Sequence, residues 1–190
     1  GAPFHLFISA DEDFVFRLAD EGRTEDRGRI YGTGRIGLFV PHGSELRADG
    51  SLKDLAAALA DGRLQRLAIA NPAHAPYGAR AREALEHAGL WKAIEPRLVM
   101  GENISQAAQF ASTGAAQGGI IALSLALAPT LAALGRFELI PAAFHRPLVQ
   151  RMVLLKGAPP AARAFHDHLL QAPARQVLQR FGFTPPPGAP

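Results

Sequence analysis

Short apolar runs of strand length alternate with amphipathic stretches of helix length along the chain. The first run, residues 4–9, is typical of a buried strand, and Asp11 and Gly22 are residue types that begin and end a helix. A polar connector is then predicted over residues 29–33, followed by an apolar strand over residues 34–41. The amino-terminal part therefore predicts a strand, a helix and a second strand.

The rest of the chain continues this alternation. Ser51 is predicted to cap a helix over residues 52–60, with Asp54 completing a box-like first turn. Alternating strands and helices with short connections predict an α/β protein with mainly parallel sheets. The further strands are predicted at 67–70, 98–100, 119–123, 137–140 and 149–155, and the further helices at 77–89, 90–94, 104–111 and from 160 into the tail.

The stretch from Leu67 to Ala79 has the features of an anion site. An apolar strand leads through a turn with two prolines into a helix, and Pro76 falls at its start, where a missing N–H costs least. The first amides of a helix have no acceptor inside it and lie at the positive end of its dipole, so they can hold an anion. No nucleophile or general base accompanies them. The stretch predicts a binding site and no enzyme.

Composition narrows the class of ligand. The chain has 190 residues, 48% hydrophobic and 19% charged, which suits one domain or two small lobes with an ample core. A net charge of +3, with no run of basic residues, allows weak attraction for small anions but does not indicate a nucleic-acid surface. The seven His are scattered and Cys is absent, so neither a metal site nor a disulfide is predicted.

One motif matches a dinucleotide fingerprint letter for letter. The segment from Gly32 to Gly37 reads G-x-G-x-x-G, but that fingerprint needs a strand before it and a helix after it. Here the pattern predicts a strand after the motif. A crossing point between sheets is therefore favoured over a dinucleotide site.

Several motifs that occur in one order and spacing resemble a known family. The motifs are Ser9-Ala-Asp11, Gly32-Thr-Gly-Arg35, Asn71-Pro72 with His74-Ala-Pro-Tyr-Gly78, Gly101-Glu-Asn-Ile-Ser-Gln106, Gly119-Ile-Ile-Ala-Leu-Ser124 and Arg180-Phe-Gly-Phe183. Taken together, over essentially all 190 residues, they resemble the molybdate-binding component of ABC uptake systems, a type II periplasmic binding protein.

The resemblance implies two α/β lobes joined by two crossing strands. Lobe I would comprise residues 1–34 plus 147–190, and lobe II residues 35–146. It also implies a tetrahedral oxyanion ligand, molybdate or tungstate, held by main-chain N–H groups and hydroxyls with no cofactor. A membrane ABC permease is the implied partner, and the periplasm the implied location, although no signal peptide is recognised in the sequence.

The same resemblance assigns the ligand-binding residues of lobe II. Tyr77 and Ile104 would bind the oxyanion through their backbone N–H groups, and Pro76 and Asn103 would shape the two helix starts. Without the resemblance, the sequence favours an ordinary turn aromatic at Tyr77 and a core aliphatic at Ile104, because an apolar residue at a helix start usually packs in the core. The physical expectation agrees with the assignment, because helix starts that follow adjacent parallel strands converge at one edge of a sheet.

The sequence also departs from the family pattern. Family members carry a strand–helix–strand unit with hydroxyl donors before the motif at Ser9, so the resemblance predicts an incomplete lobe I and impaired ligand binding. Two alternatives stay open. One is a non-binding module that pairs or swaps with a second copy through the incomplete lobe, giving a homodimer. The other is the oxyanion-sensing domain of a regulator.

Overall fold

The computed structural model describes residues 4–186, so the first three and last four residues of the predicted lobe I lie outside that range. Contacts divide the chain into two units: Gly1–Gly34 with Leu148–Pro190, and Arg35–Pro147. The strands are β1 (Leu6–Ser9), β2 (Arg29–Gly34), β3 (Ile36–Pro41), β4 (Leu67–Ala70), β5 (Leu98–Gly101), β6 (Gly118–Ala122), β7 (Gly135–Leu139) and β8 (Leu148–Leu154). The α-helices are α1 (Glu12–Asp20), α2 (Lys53–Asp61), α3 (Pro76–His87), α4 (Trp91–Ile94), α5 (Ile104–Ser112), α6 (Leu123–Ala126), α7 (Pro129–Ala132), α8 (Pro160–Leu169) and α9 (Ala172–Arg180).

The first unit contains a three-stranded antiparallel sheet in the order β1-β8-β2. The prediction of a polar connector over residues 29–33 is wrong, because these residues form most of β2. Its polar residues occupy a largely half-exposed strand, and its hydrogen bonds go to β8, far along the chain. A local pattern of apolar residues does not reveal such a strand.

The second unit contains a five-stranded mixed sheet in the order β5-β4-β6-β3-β7. Strand β4 pairs parallel with β5 on one side and with β6 on the other, whereas β3 pairs antiparallel with β6 and β7. The prediction of mainly parallel sheets is therefore wrong, although the α/β class is correct. Side-chain alternation marks a strand but carries no information about its direction.

The motif from Gly32 to Gly37 spans the end of β2 and the start of β3. A strand follows it, as predicted, so it lacks the helix that a dinucleotide fingerprint requires. The strands on its two sides belong to different sheets.

The start of α2 differs from the prediction. Ser51 is not the cap: Leu52 holds that position with φ 62° and makes no side-chain bond. The Asp49 carboxylate instead accepts hydrogen bonds from the amides of Ser51, Lys53 and Asp54 at 2.9, 2.9 and 3.1 Å. Partial burial opposes ionisation of Asp49, but these bonds outweigh it and lower its pKa.

Strand β4 lies between β5 and β6 in the sheet of the second unit, and all four of its residues are buried. It has this position because its sequence, Leu-Ala-Ile-Ala, is apolar on both faces, as a strand between two neighbours requires. Helix α3 packs its buried residues Ala81, Ala84 and Leu85 inward. Burial of a side chain such as Leu85 contributes about 1.5–3 kcal/mol, so the strand and helix hold each other in place.

Candidate functional site

Two helices begin at the carboxyl ends of adjacent parallel strands. Strand β4 ends at Ala70 and α3 begins at Pro76, while β5 ends at Gly101 and α5 begins at Ile104. Ala70 and Gly101 are paired across the two strands, and the Asn71 amide donates to the Gly101 carbonyl at 2.7 Å. Both helix starts therefore lie at the same edge of the sheet, the usual place for a ligand in an α/β protein.

A small apolar cluster brings the two helix starts together. Ala70, Ala75 and Ala107 are buried against one another, and Ile104 packs against them. Ala75 immediately precedes α3, and Ala107 lies in the first turn of α5. Because alanine side chains are short, the backbones of the two turns approach closely across this cluster.

Two glycines allow each turn to sit on the end of its strand. A Cβ at Gly78 would lie 2.1 Å from the carbonyl oxygen of Ala70, and a Cβ at Gly101 would lie 2.7 Å from the amide nitrogen of Ala107. No other residue type permits this approach without a backbone shift. The glycines therefore fix where the first amides of α3 and α5 lie.

Helix α3 starts in a way that makes Tyr77 its first donor. Pro76 is the first residue of the helix, as predicted, and has no N–H, while the cap residue Ala75 makes no side-chain bond. The amide of Ala79 already donates to the Ala75 carbonyl at 3.0 Å. The Tyr77 side chain is 7% exposed and lies in the core, so a ligand would meet its backbone and not its ring.

Helix α5 starts with a side-chain cap. Asn103, the residue expected to shape this helix start, holds the cap position, and its Oδ1 accepts from the Gln106 amide at 3.0 Å. The Gln106 side chain in turn accepts from the Glu102 amide through Oε1 at 2.7 Å. This reciprocal arrangement uses the third amide of the helix, and Ile104 and Ser105 supply the two amides ahead of it.

The electrostatics of the two turns come from the backbone. Neither residues 71–78 nor residues 101–106 contain Lys or Arg. Each helix dipole places about half a positive elementary charge at its start. The turns are joined by His74, whose Nε2 lies 3.0 Å from the carbonyl oxygen and 3.3 Å from the carboxylate of Glu102.

A charged cluster anchors α3 about two turns beyond its start. Glu83 pairs with the buried Arg80 and with Arg146, whose amide and Nε lie 2.8 and 2.9 Å from the carboxylate. Burial would raise the pKa of Glu83, but these hydrogen bonds lower it. His145 is buried beside them, with Nδ1 2.8 Å from the Arg146 carbonyl, and its burial lowers its pKa.

The structure brings the starts of α3 and α5 together, whereas the sequence shows only their order along the chain. Pro76 and Asn103 start the two helices as predicted, and the roles of Tyr77 and Ile104 as ligand-binding residues stay predictions. The contact between His74 and Glu102 was not predicted, because it joins two turns distant in sequence. The glycines in the first turn of α3 and at the end of β5 are the sequence signal that points to close backbone packing.

Within residues 4–186, no group of three or more His, Cys, Asp or Glu is arranged to hold a metal ion. In that range, too, the helices fall short of the length and apolarity needed to cross a membrane.

The fold and the paired helix starts define a solute-binding protein of the two-unit α/β kind. The family model of bacterial extracellular solute-binding proteins matches residues 1–184, and the chain belongs to this family. It is 34% identical over 186 residues to the molybdate-binding protein ModA of Rhodobacter capsulatus, covering 96% of this chain and 70% of the relative. The identity to ModA of Azotobacter vinelandii is 36% over 186 residues, covering 96% and 71%.

A solved structure shows the same likeness. The periplasmic molybdate-binding protein of Azotobacter vinelandii matches with a TM-score of 0.84 and 26% identity, over 98% of this chain and 80% of that one. The predicted family resemblance and α/β fold are thus confirmed. These relatives are named as molybdate-binding proteins, and the family of the chain is one of solute-binding proteins and not of enzymes, as predicted.

Proposed function

We propose that this chain captures molybdate or tungstate in the periplasm and delivers it to a membrane ABC permease. The observation that carries the proposal is the pair of helix starts, α3 and α5, at one edge of the sheet. That arrangement occurs in a chain 34% identical to a molybdate-binding protein. In this role Tyr77 and Ile104 donate their backbone N–H groups to the oxyanion, and Pro76 and Asn103 set the direction of the donors.

Backbone donors suit a dianionic tetrahedron that must later be released. Each hydrogen bond to a charged group contributes about 1.5–3 kcal/mol, so a few amides give tight binding. Neutral donors also avoid a buried ion pair. When one partner of such a pair leaves, the remaining buried charge is uncompensated, which costs much more free energy. Molybdate and tungstate have the same shape and charge, so amides that bind one of these ions also bind the other.

A titration of the 190-residue chain tests the proposal. Melting temperature is measured with molybdate, tungstate and sulfate at equal ionic strength, and affinities by calorimetry. A ligand at 100 times its Kd adds about 2.7 kcal/mol to the stability of the folded form, so molybdate and tungstate are expected to raise Tm. No shift with either ion, or an equal shift with sulfate, would contradict the proposal. The affinity also tests the prediction of impaired binding.

The titration, combined with size-exclusion chromatography and the sequence of the gene, separates the two alternatives from the proposal. A non-binding module that pairs with a second copy gives no shift with oxyanions and elutes as a dimer in size-exclusion chromatography. An oxyanion-sensing domain also gives the shift in Tm. It is identified by finding that the same gene encodes a DNA-binding segment.

A further inference from the structure

The turns before α3 and α5 are joined at two points. We call residues 71–75 and 101–103 the two binding turns. Close to the sheet, the Asn71 amide donates to the Gly101 carbonyl at 2.7 Å. Farther from it, His74 Nε2 lies 3.0 Å from the Glu102 carbonyl oxygen. A carbonyl oxygen only accepts, so the imidazole donates in this contact and Nε2 carries the hydrogen.

The backbone of Glu102 connects this contact to α5. The amide of Glu102 donates to Gln106 Oε1 at 2.7 Å, and the Gln106 amide donates to Asn103 Oδ1 at 3.0 Å. The Glu102 backbone and these two hydrogen bonds therefore link the His74 side chain to the first turn of α5. One bond between two turns leaves them free to pivot, whereas two bonds fix their relative orientation.

We propose that His74 is a positioning residue for the oxyanion site, holding the amides of both binding turns on a single anion. This inference rests on the proposed function. An anion held by two helix starts is bound tightly only when both sets of amides meet it at once, and donors that are already ordered lose less entropy on binding. His74 acts through the Glu102 carbonyl and need not touch the ligand.

The exposure of His74 makes the inference testable. Its side chain is 48% exposed, so its removal takes little apolar surface from the core. The Glu102 carboxylate, 3.3 Å from Nε2 and 79% exposed, offers a second kind of contact in solvent, which is an ion pair only when the imidazole is protonated. Such pairs contribute little, so the carbonyl bond is the contact expected to matter.

The experiment compares H74A, H74Q, E102Q and a matched control, H42A, which removes an exposed histidine elsewhere in the second unit. Molybdate affinity is measured by calorimetry and ligand-free Tm by scanning calorimetry. H74A is expected to weaken binding about three- to tenfold, the effect of one net hydrogen bond, with almost unchanged Tm. H74Q is expected to recover most of the loss, because its amide N–H can reach the same carbonyl. H42A is expected to bind as wild type.

E102Q separates the two contacts of His74. It keeps the carbonyl and removes a negative charge near the anion, so binding about twofold tighter is expected. A loss of molybdate affinity as large as that of H74A would mean that the carboxylate of Glu102, and not its carbonyl, is the partner through which His74 acts. That result would overturn the inference. Equal affinity of H74A and wild type would also overturn it while leaving the proposed function intact. If wild type binds no molybdate, both the inference and the proposed function are wrong.

A ligand-free measurement gives an independent readout. The backbone amides of Glu102 and Gln106, which donate to Gln106 Oε1 and Asn103 Oδ1, are expected to exchange hydrogen faster in H74A than in wild type, with global stability unchanged. Identical exchange would show that the two turns are held without His74.

Discussion

The α-carbon of Gly78 packs directly against the backbone oxygen of Ala70, so closely that a Cβ would lie 2.1 Å from that oxygen. This contact sets the first turn of α3 on the carboxyl end of β4. The position of the candidate donors therefore depends on a residue that offers no side chain. The contact also gives the first prediction.

Gly78→Ala is expected to destabilise the protein by about 1–3 kcal/mol, because the added methyl group forces the backbone of α3 away from β4. Molybdate affinity should fall with it, since the amide of Tyr77 moves too. Urea unfolding and calorimetry measure the two effects. Gly32→Ala serves as control, because its Cβ would lie 3.3 Å from a side-chain atom of Phe183. Equal losses in both variants would show that the close approach of Gly78 is not special.

Ile104→Pro removes one candidate donor where proline is tolerated. Ile104 is the first residue of α5, and Asn103 before it is extended, as a residue preceding proline prefers. Molybdate should bind about tenfold or more weakly, the effect of one lost bond to a charged ligand. Ile104→Val is the matched control, because it trims the side chain and keeps the N–H. Calorimetric titration of both variants measures the difference, and similar affinities would exclude this amide as a donor.

Two substitutions at Asn103 separate capping from binding. Asn103→Ala loses the bond to the Gln106 amide and is expected to cost about 1 kcal/mol of stability. Asn103→Asp keeps an acceptor at the cap and so keeps the stability, but places a negative charge beside the candidate anion site. We expect it to bind molybdate more weakly than Asn103→Ala does. Thermal unfolding and calorimetry test this, and the reverse order of affinities would argue against an anion at this helix start.

Stability is expected to fall as the pH drops below 6.5, the ordinary pKa of the His145 imidazole. Burial lowers its pKa in the folded protein, helped by the charges of Arg35 and Arg80 and opposed by contacts with Arg146 and Glu83. The unfolded chain therefore takes up the proton at higher pH than the folded one, and stability is lost as pH falls through this range. His145→Asn should show a smaller drop in Tm between pH 7 and pH 5, an interval in the general range for histidine titration.

Glu83 affects the stability of the protein in a lower pH range than His145 does. Its pKa is lowered from 4.5, so the stability from its ion pairs is present above that value and is lost only as pH falls further. A Tm that does not change from pH 8 to pH 5 in wild type would contradict the role given to His145.

The two helix starts could be predicted because their causes are local. Proline fits the first helical position, and the Asn103 cap bonds to a residue only three positions away. Where the cause is not local, the prediction failed. At the start of α2 the cap position is held by Leu52 and not by Ser51, and the first amides of the helix donate to the Asp49 carboxylate.

The sheets show the same limit at longer range. Strand β2 was missed because pairing with β8, and not its own apolar content, makes it a strand. The directions of β3 and β7 are decided by where their partners lie, which the alternation of side chains does not encode. In the candidate site, the approach of His74 to Glu102 likewise depends on two loops meeting in space.

The ion pairs of Glu83 indicate where a fluorescent reporter of ligand binding can be attached. They tie Arg146, next to the last residue of the second unit, to the helix that begins at the candidate site. The chain contains no Cys, so a single Cys introduced at the exposed Ala143 would carry a fluorophore at one defined place. A dye there would sense movement of α3 while leaving the amides of Tyr77 and Ile104 untouched.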